Sequence, residues 1–388
     1  MLVACMLAPM RPARSTVVLL SFSLVLCALA WLGVRNYGNN VSALFHMDVP
    51  FGEANRVPSG LVLYEDAAYD GMLYYQVARD VPKLVDGRPV VLDSPYRFQR
   101  ILLPLLVNAV TFGTVAWFPW AFLLLNVGSA VLALALTMRL TKAADVHALT
   151  AVANPAVFVG MLYSLTEPLS LLFIVVFLNA WERAKKSMTA WGVLALTLST
   201  FARETTVFLM GLLVLWYLWK RKWKDAALAF LPVIPFLAWQ RFLVLRFGEV
   251  GFQVNSNVID FPFSGPLHLL GMFGDGRLSY RLSAFALLLF LLPVCAVLVR
   301  EWLRLRLRID VYAFLLSGLC ATMLCMDAHM WGAITSIGRV VTPVYPIYAV
   351  YAAHRDTKAL RGLSWLLIAI SLVAAVGIAS VPHPFRLS

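Results

Sequence analysis

The sequence predicts an all-α polytopic membrane protein that forms a single transmembrane domain over residues 1–388. Of these residues 61% are hydrophobic and 13% are charged, whereas a typical soluble domain carries about 25% charged residues. Several uncharged runs approach or exceed the roughly 20 residues that a helix needs to cross a bilayer core. A membrane β-barrel would instead show short strands that alternate apolar and polar residues.

The positive charges predict the topology of the chain. The formal net charge is +12, and short basic clusters from Arg11 to Arg361 separate the apolar runs. Because cytoplasmic loops are enriched in Lys and Arg, we expect these clusters and the N-terminus to be cytoplasmic, and no nucleic-acid partner. The chain must then cross an even number of times between successive clusters, which predicts about 11 spans and an outer C-terminus. Apart from the hairpins described below, the remaining spans are expected at about 15–36, 112–138, 226–247, 281–299 and 363–382.

Some features leave alternatives open or carry no signal. The first apolar run follows Arg11 and Arg14 and fits either a first span or a cleaved signal peptide. The five cysteines show neither a disulfide framework nor a metal-binding spacing.

The remaining apolar stretches are predicted to be hairpins whose turns carry the ionisable residues. The segment "YSLTEP" at 163–168 places Glu167 at an outer turn. Only 33 residues separate Lys186 from Lys220, so the turn at Arg203 and Glu204 must be recessed in a polar cavity, because charged turns do not face lipid. The alternative is one long helix with a paired Arg and Glu at its centre.

Two long outer segments are predicted, at 37–100 and 248–280, and a further outer turn carries Asp327, His329 and Arg339. In the second long segment, the apolar patch at 267–273 either closes over a lipid carrier or is a helix that dips into the interface. All of the unusual polar residues are thus expected on one side of the membrane.

Residues 69–80 of the first outer segment have helical spacing. Leu73, Tyr74, Val77 and Ala78 recur on one face, which predicts a short amphipathic helix on the membrane surface. Asp70 then lies at its start, where the exposed N–H groups stabilise an anion. The alternative is that Asp66 and Asp70 only cap this helix.

Arg97 and Arg100 follow at the entry to the next apolar run. Their spacing of three residues places both on one helical face. Guanidinium groups match phosphate oxygens, so the pair can bind a phosphate at the level of the lipid head groups. Interfacial anchoring of the helix is the alternative.

These motifs resemble a known family. "YDGMLYYQVARD" followed by "YRFQRILLPLL" resembles the first outer loop of bacterial membrane glycosyltransferases of the GT-C class, which are distantly similar to the second mannosyltransferase of the GPI-anchor pathway. "YSLTEPLSLLF" and "TFARETTVFL" also resemble outer segments of that family. Met72 departs from it, because a polar residue is expected after the glycine.

The resemblance implies transfer of a sugar from a polyprenyl-phosphate donor to a lipid, glycan or protein acceptor, at the outer face of a bacterial inner membrane. It implies Asp70 as the general base, with Glu65 or Asp66 as second choices. The residues expected to bind substrate or phosphate are Tyr69, Arg97, Arg100, Glu167, Arg203, Glu204 and Arg339, with Tyr74 and His329 as secondary candidates.

We expect no cofactor, although Glu65, Asp66 and Asp70 together can bind a divalent cation. Two other classes of function remain open. A transporter or flippase of a lipid-linked or amphipathic substrate should need ionisable sites near the bilayer midplane. A non-catalytic scaffold should depend on no single outer acid.

Overall fold

Helices account for most of the chain in the computed structural model, which describes residues 12–86, 95–142, 145–248, 260–271, 278–305, 309–340 and 342–388. In the first half the helices are α1 Pro12–Val34, α2 Val49–Ala54, α3 Asp70–Asp86, α4 Leu102–Val110, α5 Phe118–Leu140, α6 Asp145–Thr150, α7 Pro155–Leu162 and α8 Glu167–Arg183. They continue with α9 Ala190–Ala202, α10 Thr206–Trp219, α11 Trp223–Phe230, α12 Val233–Phe247, α13 Ser264–Gly271, α14 Leu278–Leu305, α15 Val311–Leu324, α16 Ala328–Trp331, α17 Ile334–Val340, α18 Val344–Arg355 and α19 Lys358–Ser380. The strands are β1 Met47–Asp48, β2 Val62–Tyr64 and β3 Phe385–Leu387, and Pro95–Arg100 forms a 3₁₀ helix.

The chain is an all-α protein with apolar helices typical of a membrane protein. Within the described residues, four helices are long and apolar enough to cross a membrane: Ser15–Tyr37, Val115–Leu140, Trp223–Phe247 and Lys358–Ser380. They coincide with four of the predicted spans. Shorter apolar helices are Ala190–Ala202, Thr206–Trp219 and Val311–Leu324. The predicted number of about 11 spans is therefore not confirmed.

Helix α8 joins the two halves of the core. One apolar cluster includes residues of α1, α3, α5 and α7, and the other includes residues of α10, α14, α15 and α18. Leu171 of α8 belongs to the first cluster and Phe177 to the second. A helix that is apolar all round is buried in a core, and its first residue, Glu167, is buried with it.

A small sheet ties the end of the chain to the first long loop. Strand β2 pairs with β1 in parallel and with β3 in antiparallel orientation. The ring of Tyr37 packs edge-on against Tyr64 of β2 and Phe385 of β3, with centroids 5.2 and 5.0 Å apart. The end of the molecule formed by residues 37–86, 95–100 and 381–388 is called the loop face below.

The helix predicted at 69–80 exists as α3, but its apolar face packs inside the protein. Leu73, Tyr74, Val77 and Ala78 are all buried. The apolar side of α3 packs against α4 and the 3₁₀ helix Pro95–Arg100, so protein covers the face that was expected to meet lipid.

The recessed turn predicted at Arg203 is present. Helix α9 ends at Ala202, and Arg203 has an extended backbone with φ −154° and ψ 119°. A hydrogen bond of 2.9 Å links the hydroxyls of Ser199 and Thr206 across the turn. The hydroxyl of Thr200 donates to the sulfur of Met210 in α10. The alternative of one continuous helix is therefore wrong.

Part of the second long segment lies outside the described residues, which omit 249–259 and 272–277. Helix α13, which is described, packs closely on α16. A Cβ added to Gly265 of α13 would be 3.0 Å from the backbone oxygen of Asp327 and closer still to the ring of Trp331. Phe261 and Leu267 are exposed beside this contact. Closure over a lipid carrier remains a prediction.

Gly71→Ala should disturb the start of α3 more than an ordinary helix substitution. A Cβ there would lie 2.7 Å from the carbonyl oxygen of Phe45 and closer to that of Tyr163, and backbone atoms cannot move away cheaply. We expect a lower unfolding temperature in detergent for this variant. Gly128→Ala is the control, because nothing lies within 4 Å of the added Cβ. It should be neutral or stabilising by up to about 1 kcal/mol, and equal behaviour of the two variants would contradict the close contact.

Candidate functional site

The turn before α8 places Glu167 in the interior. Ser164 adopts the left-handed conformation, with φ +53°, and the N–H of Leu165 donates to the carbonyl of Gly160 at 2.7 Å. Pro168 lies in the first turn of α8, where its missing N–H costs nothing. Gly160 makes room for it, since a Cβ there would be 2.5 Å from Pro168 Cδ. The turn predicted at "YSLTEP" is therefore present.

Glu167 lies between two buried arginines from distant parts of the chain. Its Oε1 atom accepts from Arg203 Nη1 and from Arg339 Nε, the latter at 2.7 Å. All three side chains are buried. Arg203 therefore pairs with an acid 36 residues earlier in the sequence.

Glu204 instead pairs with Arg100. Arg100 donates from Nε and Nη2 to the two carboxylate oxygens, at 2.7 and 2.5 Å. Its third nitrogen, Nη1, donates to the hydroxyl of Tyr74 at 2.7 Å. Bidentate pairs of this kind are the strongest Arg–carboxylate interactions. The pair fixes the 3₁₀ helix Pro95–Arg100 to the turn at Arg203 and Glu204.

Asp70 lies at the start of α3 between two other arginines. Its Oδ1 atom is 3.1 Å from Arg97 Nη1, and its Oδ2 atom is 3.2 Å from Arg339 Nη2. Burial opposes ionisation of this carboxyl, but Arg339, Arg97 and Arg100 outweigh it and lower its pKa from 3.8 to about 2. Its side chain remains 28% exposed, so a bound molecule can reach an ionised carboxylate here.

Tyr69 supports Arg339 through both its ring and its hydroxyl. Arg339 Nη1 donates to the hydroxyl at 2.8 Å, the hydroxyl donates to the carbonyl of Thr335 at 3.0 Å, and the guanidinium lies 5.3 Å from the ring centroid. Burial raises the pKa of this phenol. On its other side the ring stacks on Tyr163 at 4.2 Å. Tyr69 thus acts as a support for the guanidinium.

Two aromatic residues that were not predicted from the sequence, Tyr163 and His46, lie behind Tyr69. Tyr163 lies against the edge of His46, whose ring stacks on Tyr64 at 4.7 Å, and the backbone carbonyl of His46 accepts from the N–H of Tyr69 at 3.0 Å. Burial, with a smaller contribution from His383, lowers the pKa of His46 from 6.5 to about 3. This histidine is therefore a neutral packing element at neutral pH.

The structure brings seven of the predicted residues into one group. We define the ion network as Asp70, Arg97, Arg100, Glu167, Arg203, Glu204 and Arg339. Four arginines and three carboxylates leave it with one net positive charge when all are ionised. A group with an excess of fixed guanidinium donors is suited to binding an anion.

The remaining candidates lie away from the ion network. Glu65 is exposed, and Asp66 Oδ1 is 3.2 Å from His383 Nδ1 at the end of the chain. His329 is exposed at the start of α16, and its N–H donates to Asp327. Met72 is half-buried. Among the described residues, no group of three His, Cys, Asp or Glu side chains is arranged to hold a metal ion, and Glu65, Asp66 and Asp70 do not form one.

Glu167→Gln should strongly destabilise the protein, because it leaves two buried guanidinium groups without their shared counter-charge. Loss of one partner of a buried pair typically costs about 3–5 kcal/mol. The control is Glu53→Gln, which breaks the exposed pair of Glu53 with Arg386 and should change stability by less than about 1 kcal/mol. Unfolding in detergent measures both, and a similar small change in the two variants would show that Glu167 does not hold the arginines.

The stability of the protein should fall as the pH is lowered from about 6.5 towards about 3, since the unfolded chain protonates His46 in this window and the folded chain does not. Asp70, whose pKa is also depressed, adds a similar loss only below about pH 4. His46→Asn should make the unfolding temperature less dependent on pH above about pH 4. Asparagine is chosen because it tolerates the positive φ of +46° at this position. An unchanged pH dependence in the variant would contradict a buried neutral His46.

Comparison of the chain with protein families, curated proteins and solved structures finds no match. The similarity of its motifs to GT-C glycosyltransferases therefore remains an expectation, and the geometry of the ion network must support any statement about function.

Proposed function

We propose that the chain is a GT-C-type membrane glycosyltransferase, which transfers a sugar from a polyprenyl-phosphate donor to an acceptor. The observation that supports this most directly is the position of Asp70 in the ion network. It is a partly exposed, ionised carboxylate that lies beside guanidinium groups able to bind a phosphate.

The phosphate of the donor would contact Arg97 first. Its side chain is 21% exposed, against 6% or less for Arg100, Arg203 and Arg339. Arg339 lies on the other side of Asp70, 3.2 Å from its Oδ2 atom. Fixed donors of this kind stabilise the negative charge that develops on a leaving phosphate.

Phosphate binding would also make Asp70 a better base. A carboxylate with a pKa of about 2 holds a proton poorly at neutral pH, and catalytic bases work best with a pKa near the operating pH. A donor phosphate that takes up hydrogen bonds from Arg97 and Arg339 would weaken their hold on Asp70 and raise its pKa. Binding of the donor and activation of the base would thus be linked.

The proposed reaction is a single displacement at the sugar. The acceptor hydroxyl passes its proton to a carboxylate oxygen of Asp70 as its oxygen bonds to the anomeric carbon. The bond between that carbon and the phosphate oxygen breaks, and its electron pair stays on the polyprenyl phosphate. Glu167 and Glu204 hold the buried arginines in place and are positioning residues in this scheme, as is Tyr69.

The setting follows from the same proposal. The loop face would lie on the periplasmic side of a bacterial inner membrane, with the basic clusters in the cytoplasm. The acceptor would be a lipid, a glycan or a protein. The scheme requires no cofactor.

Asp70→Asn tests the proposal directly. Purified protein is given radiolabelled polyprenyl-phosphate sugars with a membrane extract as acceptor, and transfer of label is measured. We expect the variant to be about 10² to 10⁴ times slower, since a positioned base contributes a factor of that size.

The control is Asp66→Asn, because Asp66 lies outside the ion network and pairs with His383. It should transfer sugar at nearly the native rate. Equal activity of native protein and the Asp70 variant would remove Asp70 as base, and lack of transfer with every donor would favour a transporter or a scaffold.

A further inference from the structure

Helix α12 lies directly against the segment that carries Arg97 and Arg100. Trp239 of α12 donates from its indole N–H to the carbonyl of Phe98 at 2.9 Å. The ring of Phe98 stacks on Phe247 near the end of α12, with centroids 5.4 Å apart. We call this contact between α12 and the 3₁₀ helix Pro95–Arg100 the seam.

The seam reaches the depth of the ion network. Phe201, two residues before Arg203, lies 6.5 Å from both Phe236 and Trp239 of α12, measured between ring centroids. Gln240 follows Trp239 in α12. It lies seven residues before Phe247, which at 1.5 Å per residue is about 10 Å below the end of the helix.

Two buried glutamines belong to the elements of this seam, one on each side. Gln99 is fully buried beside Arg100, and Gln240 is 6% exposed. In the part of the chain that the structure describes, neither the oxygen nor the nitrogen of either side-chain amide has a hydrogen-bond partner. A buried polar group left unpaired costs roughly 1–3 kcal/mol, so four such atoms are expensive unless something polar binds them.

The chemistry of the amides limits what can bind. Each carboxamide offers an acceptor oxygen and two N–H donors, which suits a hydroxyl group, since a hydroxyl both donates and accepts. A phosphate can only accept in this setting and would be drawn to the neighbouring arginines. An acyl chain would leave the amides unpaired. Carbohydrate hydroxyls fit these groups best.

We propose that Gln99 and Gln240 form a subsite for the hydroxyl groups of a sugar, beside the phosphate-binding arginines. The inference rests on the proposed function and extends it by naming where the sugar of a lipid-linked donor is held. The phosphate contacts Arg97, and the sugar lies towards the seam. Helix α12 also has exposed leucines, Leu237 and Leu245.

The test uses Gln99→Leu, Gln240→Leu and the flexible replacement Gln240→Met. These near-isosteric changes remove the unpaired amides, so the variants should unfold at the native temperature or above. Binding to the purified protein is measured by native mass spectrometry with three lipids: polyprenyl-phosphate mannose, polyprenyl-phosphate glucose and sugar-free polyprenyl phosphate. The control is Tyr351→Phe, which removes a buried hydroxyl on α18.

We expect the glutamine variants to bind at least one sugar-bearing lipid about tenfold more weakly, the effect of one or two lost hydrogen bonds, and to bind sugar-free polyprenyl phosphate as the native chain does. Tyr351→Phe should bind all three lipids normally. An equal loss for sugar-bearing and sugar-free lipids, or no loss for either, would show that the amides hold only water or serve packing, and would overturn the subsite.

The binding assay also separates this inference from the proposed function. If the native chain transfers no sugar but the glutamine substitutions weaken binding of the sugar-bearing lipids and not of the sugar-free lipid, the subsite stands and the transfer reaction is wrong. If transfer occurs and depends on Asp70 but the discrimination is absent, the function stands and the subsite is wrong. Failure of the native chain to bind any of the three lipids would overturn both.

Discussion

The shared carboxylate of Glu167 is the interaction on which the loop face depends. Two guanidinium groups cannot be buried together without a counter-charge, because an uncompensated charge in a low-dielectric interior costs several kcal/mol. Arg203 comes from the turn after α9, Arg339 from α17 and Glu167 from the start of α8. Three separate parts of the chain are thereby held at one point, and Arg339 extends the contact to Asp70.

Two short helices lie on either side of the turn that carries Arg203 and Glu204. Helices α9 and α10 have 13 and 14 residues, about 20 Å each at 1.5 Å per residue, which is shorter than a bilayer core of about 30 Å. The turn between them carries Arg203, which is buried, and electrostatic interactions are stronger in a buried site than at a surface. A phosphate bound next to a buried arginine would be held more tightly than on an exposed arginine pair.

The turns could be predicted from the sequence, but the pairs that their charged residues form could not. Arg203 and Glu167 stand out because charged residues inside apolar runs are tolerated only where protein or water surrounds them, and the order of basic clusters assigned both to one side. The pairing of Arg100 with Glu204 joins residues 104 positions apart, and no local pattern encodes such a contact. His46 and Tyr163 were missed because aromatic residues in an apolar chain carry no distinctive signal. Gln99 and Gln240 are each followed by an arginine, and nothing in the sequence distinguished them either.

The order in which the chain is made has a consequence for the sheet at the loop face. Strand β2 ends at Tyr64, and its partner β3 begins at Phe385. Ribosomes add about 5–20 residues per second. One edge of β2 therefore stays unpaired for roughly 16 to 64 seconds, while the chain between β2 and β3 is synthesised. Exposed edges invite pairing with other chains. Folding factors that shield nascent segments during membrane insertion would therefore be needed most on this side, in the interval before α19 is in place.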